Sequence, residues 1–207
     1  MRQYSFVEYI QGGTQINLMV AIDFTASNGN PKDTKSLHYK PKDGDSEYAQ
    51  AIRAVGTIVG GYDHDGMFPT YGFGAKVPPA GTISHCFPLS FAGNPELPGV
   101  DGILRAYYAA LERVTLHGPT NFAEFLDVAT QIATQYHATG GRQFLILLVI
   151  TDGEITDMER TVERIVKASG LPMSVVIVGV GDADFKQVFS AWFLSVLILT
   201  LLLKRVP

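Results

Sequence analysis

Two unbroken apolar runs constrain this chain more than any other feature: residues 144–150 (FLILLVI) and 173–180 (MSVVIVGV). A half-exposed strand alternates apolar and polar residues, whereas a run of this length without alternation fits a strand covered on both faces. A third run, residues 16–22 (INLMVAI), ends at Asp23. Helical spacing fills the intervals. Tyr48, Ile52, Val55 and Ile58/Val59 predict a helix over 46–60, stopped at Gly60-Gly61. Leu104, Tyr107/Tyr108, Leu111 and Val114 mark a second helix, and Phe122, Phe125/Leu126, Ala129, Ile132/Ala133 and Tyr136 a third. Asn121 and Glu124 are spaced as a capping box for the third helix. Thr156 and Glu159 are spaced the same way before a fourth helix that runs through Val162 and Ile165/Val166, and Gly170 and Pro172 stop it. Residues 68–73 and 83–87 are weaker strand candidates, and 28–44 and 94–99 read as loops. Strands alternating with helices, with the strongest strands apolar on both sides, predict an α/β fold. It is a doubly wound, mostly parallel sheet flanked by helices.

Charge and cysteine usage exclude several function classes. Lys plus Arg is 16 against 20 Asp plus Glu, a net charge of −4, so no basic surplus exists to neutralise phosphates and nucleic acid is not expected as a partner. One cysteine, Cys86, forms neither an internal disulfide nor a multi-cysteine zinc site, and with no Asn-x-Ser/Thr acceptor the chain reads as intracellular. The N-terminus has no apolar run of signal-peptide length. Residues 188–203 (VFSAWFLSVLILTLLL) carry no charge, and Lys204 and Arg205 follow them. As a helix they would span roughly 24 Å against about 30 Å of bilayer hydrocarbon. The division is therefore a domain over 1–185 and an apolar tail over 186–207. The tail is expected to be helical and to act as a membrane anchor, or else to be an aberrant chain end that promotes aggregation.

The carboxyl ends of the strands carry the chemistry-bearing side chains, where open α/β sheets place their sites. Asp23, Thr25 and Ser27 follow the first strand as Asp-x-Thr-x-Ser, Asp152 follows the 144–150 strand, and Thr120 opens a helix in Gly-Pro-Thr-Asn. Carboxylates and hydroxyls are hard donors, suited to magnesium, manganese or calcium rather than zinc or copper. On spacing alone, short polar residues after strands equally well cap turns. Other motifs read blandly. Asp63, Asp65 and Gly66 lack EF-hand spacing and form a turn; residues 72–76 (GFGAK) lack P-loop spacing; Gly179 and Gly181 lack a dinucleotide fingerprint. His38, His64, His85, His117 and His137 are scattered, Cys86 is a small core residue, and Tyr107 and Tyr108 sit at core or rim spacing. Asp157 and Glu159 favour the N-terminus of their own helix, with tuning of the metal rim as the other reading.

The segments DFTASNGNP, MFPTYGFGAK, HGPTNF, TDGEITDM and LPMSVVIVGVGDADF resemble the von Willebrand factor A-like domain of the copine family, from about Tyr4 to Phe185. The resemblance implies a metal-ion-dependent adhesion site at Asp23, Thr25, Ser27, Thr120 and Asp152. It implies a metal-dependent protein-binding module with magnesium or manganese as cofactor, calcium being the other candidate. Partners would be intracellular proteins that present an acidic side chain to the metal. The family is associated with calcium-dependent phospholipid binding and membrane-linked signalling, which implies a cytoplasmic protein with plasma-membrane association. Phospholipid binding is attributed mainly to two β-sandwich domains that precede the module in copines; this sequence begins without them. Copine A-domains also continue past the GDADF-like segment into a further helix and strand, which the apolar tail replaces here. Closure of the fold at that end is left open. A non-functional or regulatory truncated product is the alternative reading. A metal-dependent phosphatase is less favoured, because Thr25 stands where a haloacid-dehalogenase-type enzyme has its second Asp. No Ser-His-Asp or Cys-His arrangement stands out, so the chain is not read as an enzyme.

Overall fold

The computed structural model describes residues 13–61, 63, 65–140, 142–153, 155–181 and the backbone of 198–203. The elements run β1 (Gln15–Asp23), a single 3-10 turn (Ala26–Asn28), α1 (Glu47–Gly60), β2 (Met67–Phe73), β3 (Ala75–Val77), β4 (Thr82–Ser84), β5 (Phe87–Pro88) and β6 (Glu96–Pro98). They continue with α2 (Gly99–Leu111), β7 (Thr115–Leu116), α3 (Ala123–Ala138), β8 (Gln143–Thr151), α4 (Met158–Ala168), β9 (Met173–Val180) and β10 (Ile198–Leu203). The main sheet has the order β10-β9-β8-β1-β2, parallel throughout, and β5 and β6 pair antiparallel with β2. A small sheet, β4-β3-β7, lies apart from it.

The unbroken apolar runs are explained by burial on two faces. Side chains alternate across a strand, so Leu18, Val20 and Ile22 of β1, with Ile146, Leu148 and Ile150 of β8, face one core. That core is completed by Tyr48, Ile52 and Val55 of α1 and Ile103, Leu104 and Tyr107 of α2. Met19 and Ala21, with Leu145, Leu147 and Val149, face the other, against Phe125, Leu126 and Ala129 of α3 and Ile165 and Ala168 of α4. The doubly wound sheet with helices on both faces agrees with the sequence reading.

Several boundaries differ. The second helix stops at Leu111, short of Val114. The Pro-rich 94–99 segment contributes a short strand, β6, and the 83–87 candidate divides into β4 and β5. The clearest difference lies in the tail, expected to be helical. Residues 198–203 pair as a strand, with Ile198 opposite Val175 and Leu203 opposite Val180. Their β-branched and leucine-rich sequence, free of charge, satisfies a strand bordering β9 as readily as a helix, and period alone does not separate the two for short apolar runs. Residues 188–197 lie outside the described residues. Among the described residues no helix is long and apolar enough to cross a membrane.

Gly72 of β2 lies across the antiparallel pairing from Phe87 of β5, and a Cβ on Gly72 would overlap the Phe87 ring. The buried Phe87 therefore rests directly on strand backbone. Gly72→Ala should lower stability by about 1–3 kcal/mol, and adding Phe87→Leu should recover part of the loss. Urea unfolding checks this; an unchanged midpoint in Gly72→Ala would show that β5 is not seated as described.

Candidate metal centre

Strand register brings the first pieces together. Ile22 of β1 lies opposite Ile150 of β8, so Asp23 and Thr151 leave the sheet side by side at its carboxyl edge. β1 pairs with β2 on one side and β8 on the other, the crossover point at which sites form in such sheets. Asp23 is fully buried. Its Oδ1 accepts the Thr25 backbone N–H at 2.7 Å, and its Oδ2 accepts the Thr151 hydroxyl at 2.5 Å.

The first bond turns the chain sharply after β1 and brings the next two hydroxyls side by side. Thr25 Oγ1 and Ser27 Oγ lie 2.9 Å apart, and Ser27 Oγ donates to Asp152 Oδ1 at 3.0 Å. Asn28 Nδ2 closes the turn from behind, donating to Thr25 O at 3.1 Å and Thr25 Oγ1 at 3.3 Å. A hydrogen-bonded chain thus runs from Asn28 through Thr25 and Ser27 to Asp152.

Thr25 owes its place to a glycine. Gly74, just past β2, has φ +80°, and a Cβ there would overlap the Thr25 methyl group. The far side of the turn is set by His117. Its carbonyl accepts the Ala26 N–H, and its N–H donates to Gly74 O at 3.0 Å. The His117 ring is a loop side chain, with Nδ1 2.8 Å from Gly118 O.

Thr120 arrives from a separate loop. Its N–H donates to Thr156 Oγ1 at 3.2 Å, and its carbonyl accepts the Thr156 N–H at 2.8 Å. An added Cβ on Gly153 would stand 3.6 Å from Thr120 Oγ1, so the hydroxyl faces the residue after Asp152. Asp23, Thr25, Ser27 and Asp152 are therefore joined directly, and Thr120 faces the same loop.

The capping pattern departs from the sequence reading. Neither α3 nor α4 takes a cap from its own preceding side chain. Asp157 instead accepts from the Phe122 N–H at 2.8 Å and the Ala123 N–H at 3.0 Å, capping α3 from across the molecule. Sequence reasoning assigned Asp157 to its own helix and did not single out Thr151, Asn28 or Gly74. Thr151 and Asn28 sit next to Asp152 and Ser27 in the chain, which was the available signal. For Gly74 and Asp157 the partner is distant in sequence.

No Lys or Arg pairs with Asp23 or Asp152 among the described residues. Burial raises the Asp23 carboxyl above its ordinary range. Burial, and then the charge of Asp23, raises Asp152 to about 7. Two carboxylates that resist ionising together, with three neutral hydroxyls, make a donor set that a small divalent cation would satisfy in both charge and hardness. Among the described residues no three His, Cys, Asp or Glu converge as a metal-binding group, so the hydroxyls are essential to any such site here.

Other candidates stay apart from this chemistry. Asp63 makes a turn, accepting from Gly66 N–H at 2.8 Å and Leu18 N–H at 2.8 Å. Burial pushes the half-buried Cys86 thiol up to about 12. His38 is buried among Phe24, Tyr48 and Tyr107, with Nδ1 2.8 Å from the Tyr107 hydroxyl, and burial lowers it to about 3. His64 lies outside the described residues.

Comparison with known proteins adds a family and a fold. The copine family model matches residues 36–190. Copine-A of Dictyostelium discoideum is 47% identical over 185 residues, covering 89% of this chain and 31% of that protein. The chain thus spans about a third of the length of this curated relative. Among solved structures it is similar to the manganese-loaded TRAP protein of Plasmodium vivax (TM-score 0.53, 15% identity, 84% of this chain and 61% of that one). It is also similar to proximal thread matrix protein 1 from the mussel byssus (TM-score 0.50, 16% identity, 91% of this chain and 43% of that one). These likenesses are of fold, and the fold is of the von Willebrand factor A type.

The raised carboxyls make a signed prediction for the metal-free chain. Between the ordinary carboxyl range and about 7, folded Asp152 holds a proton that the unfolded chain has released. The folded state binds more protons there, so this group's contribution to stability is present at low pH and is lost as pH rises toward 7. Thermal unfolding in chelator from about pH 4.5 to about pH 8 should show that loss. Asp152→Asn should flatten it; an unchanged slope in the variant would contradict the assignment.

Proposed function

The chain belongs to the copine family, and from that premise we propose that it is a metal-dependent protein-binding module. In this reading Asp23, Thr25, Ser27, Thr120 and Asp152 hold one divalent cation, magnesium or manganese before calcium. The observation that carries the reading is the hydrogen-bonded chain from Thr25 through Ser27 to Asp152 beside buried Asp23. Hydrogen bonds within the chain gather the oxygen donors, which leaves little ordering to oppose binding. When bound, the cation supplies a Lewis-acidic centre.

Two carboxylates balance a divalent charge without exceeding it, which leaves the centre able to attract a further anionic oxygen. An acidic side chain of a partner protein is the proposed occupant. An enzymatic role has less support. Both Asp23 oxygens accept hydrogen bonds, from the Thr25 N–H and the Thr151 hydroxyl, which fits an anchored ligand rather than a free nucleophile. Thr25 stands where a phosphatase would need an acid. The single cysteine favours a reducing, cytoplasmic setting for these partners.

A cation that binds only the folded state stabilises it by about 2.7 kcal/mol at a hundredfold excess over its dissociation constant. Manganese or magnesium should therefore raise the melting temperature of the full chain above its value in chelator. Asp23→Asn and Asp152→Asn should each abolish the shift. Capture of partners from cell extract should then depend on the cation; identical partner sets with cation and with chelator would argue against a metal-bridged interface.

A further inference from the structure

We propose that Asp157 is a positioning residue for this centre: with Thr156, it holds the Thr120 loop in register against the Asp152 loop. The inference rests on reading the centre as a divalent-cation site, and it concerns residues beyond the five ligand candidates.

Four hydrogen bonds join the two loops. Thr156 occupies both backbone groups of Thr120, through its hydroxyl at 3.2 Å and its own N–H at 2.8 Å. Asp157 occupies two N–H groups just beyond, after Asn121: Phe122 at 2.8 Å and Ala123 at 3.0 Å, one on each carboxylate oxygen. The Thr161 hydroxyl, one turn into α4, donates to the same carboxylate at 3.0 Å and fixes its rotamer. The first N–H groups of a helix have no partner inside it, and a carboxylate there also meets the positive end of the helix dipole. Asp157 therefore joins the start of α3 to the start of α4. Its oxygens are taken up by two backbone N–H groups and the Thr161 hydroxyl, so it acts on the centre through the Thr120 loop.

The centre depends on such a clamp because of what Thr120 contributes. A neutral hydroxyl is a weak ligand beside a carboxylate. Fixing the backbone of even one loose residue costs roughly 1–2 kcal/mol, enough to cancel much of what one hydroxyl returns. With its N–H and C=O both held, Thr120 is left with its side-chain torsion as the one soft degree of freedom. The hydroxyl then reaches the cation without the cation having to order a loop.

The test is manganese titration of the full, chelator-stripped chain, followed calorimetrically and by the paramagnetic resonance of free Mn(II). Asp157→Asn keeps the shape but leaves one acceptor where two are needed, and should weaken binding about tenfold. Thr120→Ala should weaken it comparably. The double variant should bind no more weakly than the weaker single variant, because both changes remove the same ligand. Additive losses, or an unchanged affinity in Asp157→Asn, would overturn the proposal.

Thr156→Ala removes the acceptor for the Thr120 N–H and leaves the Asp157 cap in place. It should shift affinity in the same direction, which keeps the proposal testable if Asp157→Asn does not fold. Arg164→Ala breaks the 3.1 Å ion pair to Asp127 between α3 and α4 and leaves the loops intact. An equal loss of manganese affinity in that variant would assign the effect to helix packing and overturn the positioning role. Failure of the parent chain to bind manganese would overturn the cation-site reading and this proposal with it. Tight binding by the parent, matched by Asp157→Asn, would overturn the positioning role alone.

Discussion

A carboxylate with no accessible surface stands at the end of a strand buried on both faces, and the rest of the centre is arranged around it. Asp23 cannot reach water, so its oxygens must be satisfied by what the chain provides, since an unpaired buried charge is far costlier than a paired one. The Thr25 N–H and the Thr151 hydroxyl meet that demand. In doing so they set the turn after β1 and tie β1 to the exit of β8. The cost that remains is visible in the raised carboxyl groups: burial raises both, and the charge of Asp23 adds to the rise of Asp152. Electrostatic tension of this kind is what a divalent ion would relieve.

Much of this was legible in the sequence because it depends on local chemistry. Residues 144–150 and 173–180 fit two-sided strands by their length and their bounding turn residues, and their position after helices implied parallel pairing. Asp-x-Thr-x-Ser after one such strand and Asp152 after another placed the acids at one edge. What escaped the sequence were contacts between segments far apart in the chain. Asp157 lies beside the start of its own helix, so the helix dipole assigned it there, yet its oxygens go to Phe122 and Ala123, more than thirty residues away. Gly74 reads as one more turn glycine until the Thr25 methyl group is seen to fill the space where its Cβ would be. The tail failed for a different reason. Residues 198–203 carry no periodicity that distinguishes helix from strand, and the free edge of β9 decided the outcome.

The buried side chains behind the centre make its position in the fold rigid. His38, Tyr48 and Tyr107 pack ring against ring beneath Phe24, and Tyr107 links His38 to Ser46 through hydrogen bonds of 2.8 and 3.1 Å. With its basicity lowered by burial, His38 stays neutral at physiological pH and adds no positive charge to the back of an acidic site. The segment from Gly29 to Ser46 is held down by this aromatic cluster, and the Ser36 hydroxyl returns to the Asn28 carbonyl at 2.8 Å. The turn that carries Thr25 and Ser27 is thus anchored at both of its ends.

The far side of the main sheet carries a consequence for assembly. The outer edge of β2 is shared by two very short strands, β5 on Tyr71 and Gly72 and β6 on Met67 to Pro69. Each of them contains a proline, Pro88 in one and Pro98 in the other, and Pro69 lies within β2 itself. Proline offers no N–H, so these strands present a broken row of donors to anything approaching from outside. Short, proline-bearing flanks are a recognised defence against edge-to-edge joining of sheets. This border of the molecule is chemically blunted: a polypeptide that continued the ladder there would meet a donor row broken at Pro88 and Pro98, which disfavours extension of the sheet and favours recognition through side chains on that flank.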